Sequence, residues 1–121
     1  LAQIDFHDMS LWDVFKDPMD EAFKGRSLLS YFTALPRGDV RLGIAGKIST
    51  PADAERAFAA GVDWLMLGRA AILHHDSPRR MQQDANFEPV AIPVTADHLR
   101  NEGLGEAFVT YMSGWKGFVE G

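Results

Sequence analysis

The sequence predicts an α/β chain built on parallel strands, and three observations predict it. The stretch "VRLGIAGKISTPADAERAFAAGVDWLMLGRAAIL", residues 40–73, reads as strand, helix, strand and the opening of a further helix. The crossover between its two apolar runs is too long for a hairpin and suits a right-handed parallel βαβ unit. Each run ends in a glycine followed by a cation, Gly46-Lys47 and Gly68-Arg69, 22 positions apart.

The elements follow from local chemistry. "SLLSYFTALP", 27–36, supplies a helix with Ser27 as its cap and Pro36 as its stop. "VRLGIA", 40–45, is a short, mostly apolar run that suits a buried strand ended by Gly46. Thr50 then offers an N-cap hydroxyl, Pro51 sits where a helix tolerates it, and Asp53 places a carboxylate in the first turn. Ala54, Ala57 and Phe58 form an apolar stripe, with Asp53, Glu55 and Arg56 away from it. Gly61 is placed as the left-handed residue that stops this helix, and "VDWLML", 62–67, returns as a second largely buried strand. Residues 76–93 show little periodicity and several breakers, as in an extended connection without chemistry of its own. Phe108, Tyr111, Met112 and Trp115 then repeat at helical spacing, a stripe for core or subunit packing. The expected organisation is one partial domain over 1–121, with strand-helix units in 1–75 and the connection and helical tail in 76–121.

Composition excludes several classes. With 121 residues, 46% hydrophobic and 24% charged, the chain has the make-up of an ordinary globular protein. A net charge of −5 argues against a broad basic face for nucleic acid or anionic lipid, so any anion must be bound locally. There is no cysteine, which removes disulfides, thiolate catalysis and Cys-based zinc sites and fits a cytoplasmic protein. The most apolar stretch carries Asp63 and Arg69 and falls short of the roughly 18 uncharged residues of a membrane span. The chain starts at Leu1 without a leader, which suggests that a longer protein has lost its N-terminal part.

Two parallel strands that end in Gly46-Lys47 and Gly68-Arg69 put both pairs at one C-terminal sheet edge, where open sheets and barrels keep their ligands. Glycine lets the backbone approach an anion, Arg69 offers a forked pair of donors, and the segment after it can present helical N–H groups. Taken singly, each pair also reads as a plain turn with a solvated cation. Their coincidence at one edge favours a phosphate cup. His74 and His75 are adjacent and lie beyond that edge, while His7 and His98 show no ligand spacing, so no metal site is assigned.

Residues 40–73 resemble the last two strand-and-helix units of the old yellow enzyme family, the NADH:flavin oxidoreductases built on a (β/α)8 TIM barrel. The likeness extends more weakly from "QIDFHDMSLWD", similar to the sixth strand, through the tail "PVTADHLRNEGLGEAFVTYMSGWKGFVEG". It implies the C-terminal part of such a barrel, about three parallel strands with their helices and a helical tail. It also implies FMN, its phosphate held at Gly46, Lys47, Gly68 and Arg69, with Lys47 contributing chiefly its backbone N–H. NAD(P)H would be the reductant, and an acceptor such as an activated alkene the small-molecule substrate. No nucleic acid or membrane partner is implied.

"MSLWDVFKDPMDEAFKGRS", 9–27, then becomes the loop over the same edge. Ser10 and Trp12 are candidate substrate-wall residues, or equally a turn residue and a packing anchor. Compared with the family, the first four or five strands are absent, and with them the flavin-ring segments, the substrate-binding histidine pair and the proton donor. A typical barrel needs about 250 residues, so this is roughly a C-terminal third, with no catalytic residue assigned. Alone it is expected to be inactive and to associate with the missing barrel half or with itself. Two other readings stay open: a phosphate-binding barrel without flavin, and an inactive piece serving only as an association module.

Overall fold

Strands β1 (Phe6–Ser10), β2 (Arg41–Ala45) and β3 (Trp64–Leu65) lie side by side in that order, all parallel, in a computed structural model that describes residues 3–121. Phe6 faces Arg41 and Ser10 faces Ala45 across β1 and β2, while Gly43 and Ile44 face Trp64 and Leu65 across β2 and β3. Side chains alternate along each strand, so this register puts Met9, Ile44 and Leu65 on one face. There they join Leu42, Val14, Leu29, Ile48, Ala57 and Val62 in the core of the first unit. Contacts divide the chain into two compact units with the boundary after Gly68, where the sequence predicts an internal division after residue 75.

Strand β3 is shorter than the expected run over 62–67. The Asp63 N–H still donates to the Leu42 carbonyl (2.8 Å) and the Met66 N–H to the Ile44 carbonyl (2.8 Å), but the Leu42 N–H goes to the Asp63 carboxylate (2.7 Å). A side chain therefore replaces the main-chain ladder at the entrance of the strand pair. The Arg37 guanidinium donates to the Gly61 carbonyl (2.7 Å) and lies 3.9 Å from the same Asp63 carboxylate.

The helices of the first unit follow their caps. Helix α1 (Leu28–Thr33) begins after Ser27, whose hydroxyl accepts from the Ser30 N–H (3.2 Å), and ends ahead of Pro36. Helix α2 (Pro51–Ala59) carries a full capping box: Thr50 Oγ1 accepts from the Asp53 N–H (3.2 Å), and Asp53 accepts from the Thr50 N–H (3.1 Å). Gly61 takes φ 105° after it. The apolar stripe is narrower than expected, because Pro51 and Ala57 are buried while Phe58 stays half-exposed. One position beyond Ala57 turns about 100° round the helix, away from the sheet.

The second unit is helical: α3 (Arg69–Leu73), α4 (Ser77–Gln83), α5 (Ala96–Asn101) and α6 (Glu106–Ser113). Its core gathers Leu73, Val94, Leu99, Val109, Met112, Phe118 and Val119, with a parallel bridge between Val94 and Val119. Helix α4 corrects the expectation of an extended connection over 76–93. It starts with Pro78 in its first turn and is anchored by the Ser77 hydroxyl, 2.7 and 2.6 Å from the Ala70 and His74 carbonyls. It buries no apolar residue, so no stripe announced it. Helix α6 meets the predicted stripe in part: Met112 faces the core, with Val109 beside it and Trp115 packed against the same cluster, whereas Phe108 and Tyr111 are exposed. Among the described residues no helix is long and apolar enough to cross a membrane.

Candidate functional site

The C-terminal edge of the sheet is built by three chain exits. The exit of β1 stays paired with that of β2, through Leu11 N–H to the Ala45 carbonyl (2.8 Å) and Val14 N–H to the Gly46 carbonyl (3.2 Å). Gly46 adopts φ 150°, and a Cβ there would stand 2.6 Å from the Leu11 carbonyl oxygen and 2.9 Å from Val14 Cγ1. The glycine is therefore required by the approach of the β1 exit. Lys47 follows at φ 59°, in the left-handed region, and its exposed ammonium lies 3.7 Å from the Asp13 carboxylate.

Gly68 differs from Gly46. It is exposed, and a Cβ added to it would meet nothing within 4 Å. The fold does not demand a glycine there, and the backbone is open to a close-approaching group. Ser10 ends β1 and is exposed, and Trp12, in the loop after it, is 69% exposed. The first unit thus brings Ser10, Trp12, Gly46, Lys47 and Gly68 to the exits of its strands. Arg69 is the next residue along the chain and opens α3 in the second unit.

Sequence reasoning missed a polar cluster in the second unit. Glu102 at the end of α5 accepts from the His75 N–H (2.8 Å), and its Oε2 lies 2.6 Å from His75 Nδ1. Its other oxygen lies 3.8 Å from Nδ1 of buried His74, so one carboxylate meets both adjacent histidines. The His98 ring packs edge-on against His74 at 5.6 Å, and its Nε2 lies 2.7 Å from the Leu73 carbonyl. The signal for half of this was in the sequence: His98 and Glu102 stand four apart at a helix end. Their meeting with His74 is a tertiary fact.

Among the described residues, His74, His98 and Glu102 bring possible ligand atoms within 4.8 Å of one another, as do His75, Asp76 and Glu102. The hydrogen bonds speak against a cation in the first group. His74 Nε2 accepts from the Val90 N–H (2.9 Å), so the neutral ring carries its proton on Nδ1, the atom facing Glu102. In the second group the Asp76 carboxylate is engaged by Arg80 (2.8 Å) and Glu102 by His75.

Fold and strand exits together define a mixed α/β chain with a parallel sheet whose C-terminal edge carries glycine-cation pairs. Comparison with models of protein families, with curated proteins and with solved structures returned no match.

Proposed function

We propose that the chain is the C-terminal portion of an FMN-dependent NAD(P)H oxidoreductase of the old yellow enzyme type, and that its task is to hold the phosphate of FMN. The observation that carries this reading is the parallel pairing of β2 with β3, which sets Gly46-Lys47 and Gly68 at the same strand edge with Arg69 next in the chain. The donor set suits a phosphate: Gly68 leaves room for close approach, and Lys47 and Arg69 supply positive charge. Lys47 shares its ammonium with Asp13, which suits a contribution made chiefly through its backbone N–H. Bound FMN would supply the hydride chemistry between NAD(P)H and a small-molecule acceptor. The three strands would be the last of a (β/α)8 barrel, with Ser10 and Trp12 lining its mouth.

Arg69→Ala tests the assignment in the intact flavoenzyme. Hydrogen bonds to charged groups are worth roughly 1.5 to 3 kcal/mol, so FMN should bind about ten- to a hundredfold more weakly. Riboflavin, which has no phosphate, should bind as before. Titrations of both flavins into deflavinated wild type and variant, at fixed salt, read the contrast. Equal losses for both ligands, or no loss for either, would reject Arg69 as a phosphate ligand. A colourless full-length protein would favour a phosphate-binding barrel that carries no flavin.

A further inference from the structure

Residues 84–93 run from the end of α4 to the Val94 bridge, and most of their side chains are exposed. Two of their contacts converge on one ring. Phe87 packs edge-on against His74 at 5.6 Å, and the Val90 N–H donates to His74 Nε2 at 2.9 Å. His74 is 7% exposed, and its Nδ1 is buried without a hydrogen-bond partner. An imidazole that accepts at Nε2 must be neutral, because both nitrogens of the charged ring are donors.

We propose that His74 is an acid-sensitive latch on residues 84–93: a proton arriving at Nε2 turns the acceptor of the Val90 N–H into a second donor and releases the segment. The charged groups around the ring set the balance. Arg80 of α4 and His98 of α5 oppose a positive ring, while Glu102 at the end of α5 and Asp76 before α4 favour one. Burial first, and then Arg80, outweigh the carboxylates and hold the His74 pKa below the ordinary imidazole value.

The sign follows directly. The released segment exposes a ring of ordinary affinity, about 6.5, and the latched ring binds its proton less well. The latch is at full strength above about pH 6.5, weakens as the pH falls below it, and is spent once the pH passes the lowered value of the latched ring. The His75 ring is exposed and faces Glu102 rather than Val90.

Nitrogen-resolved imidazole spectra and backbone amide spectra of the full chain, from about pH 8 to about pH 5, test the latch. At neutral pH the Nε2 of His74 should be the unprotonated nitrogen. On acidification the ring and the Val90 amide should titrate with one shared midpoint below about 6.5, while the amides of Val109 and Met112 hold. Corrected amide exchange at Val90 should quicken by up to about tenfold per pH unit. His74→Gln keeps an acceptor and removes the titration, so its Val90 protection should not respond to pH.

Several outcomes would overturn the proposal: a protonated Nε2 at neutral pH, a Val90 amide that stays put while His74 titrates, loss of Val109 and Met112 in the same step, or a His74→Gln chain that still opens. Saturable zinc binding that depends on His74 would also overturn it, by showing the tautomer to be wrong. If the variant does not fold, the wild-type spectra decide alone.

Discussion

Gly46 and Gly68 occupy matching places in the sequence and have different physical reasons to be glycine. At Gly46 the backbone has positive φ, and an added methyl would collide with the Leu11 carbonyl, which is main chain and cannot swing aside. Strain of this kind costs of order 1 to 3 kcal/mol, so Gly46→Ala should lower stability by about that much. Urea unfolding checks it as a lower midpoint with an unchanged slope. Gly68→Ala meets no such neighbour, so a loss of phosphate affinity in that variant would report on the ligand rather than on the fold. The sequence marks both glycines as strand ends. It does not show which is needed by the fold, because Leu11 reaches Gly46 only when β1 pairs with β2. The same limit hid the carboxylate between His74 and His75. Desolvation pushes the Glu102 carboxyl up, but the His75 backbone N–H and ring outweigh it and hold the group below its usual range.

Elements whose start and stop are written in adjacent residues were legible. Helix α2 is the clearest, since Thr50, Pro51 and Asp53 make a complete local signal and the capping box forms as that signal requires. Thr50→Ala should cost about 1 kcal/mol, read as a lowered thermal midpoint, and Thr50→Ser should restore most of it. Elements held by distant contacts were not legible. Helix α4 depends on the Ser77 hydroxyl meeting the Ala70 and His74 carbonyls and on an Arg80–Asp76 pair, and it has no apolar period to betray it. In α6 the period was visible and placed Met112 in the core, but not Phe108 and Tyr111. Phe108 and Tyr111 stack on each other at 5.6 Å and leave burial to Val109 and Met112. Aromatic size alone does not say which side of a helix meets the core.

The parallel α/β class was readable over the whole first unit, because a strand, a capped crossover and a second strand leave few other topologies. Coverage of the sheet was not readable. One face carries Met9, Ile44 and Leu65 into the core. The opposite face presents Phe6 at 56% exposure, stacked edge-on against Trp64 at 5.5 Å, with exposed Asp8 and Ser10 beside it on β1. Parallel sheets are ordinarily covered on both faces, which is the physical ground for expecting company. The isolated 121-residue chain should therefore self-associate, read by light scattering, and should not oxidise NADPH when FMN is added. A compact monomer that unfolds cooperatively would contradict the first expectation, and robust turnover the second.

The strands also occupy the sheet in the order in which they are synthesised, and each compact unit is one unbroken run of chain. A ribosome making this protein hands β2 to the free edge of β1 and later β3 to the free edge of β2, with no slot to be held open for a strand still untranslated. The pairing of β1, β2 and β3 can be complete once Gly68 has emerged, and the second unit begins only with Arg69. Assembly can keep pace with translation, which shortens the time for which an unpaired apolar strand is exposed to other nascent chains.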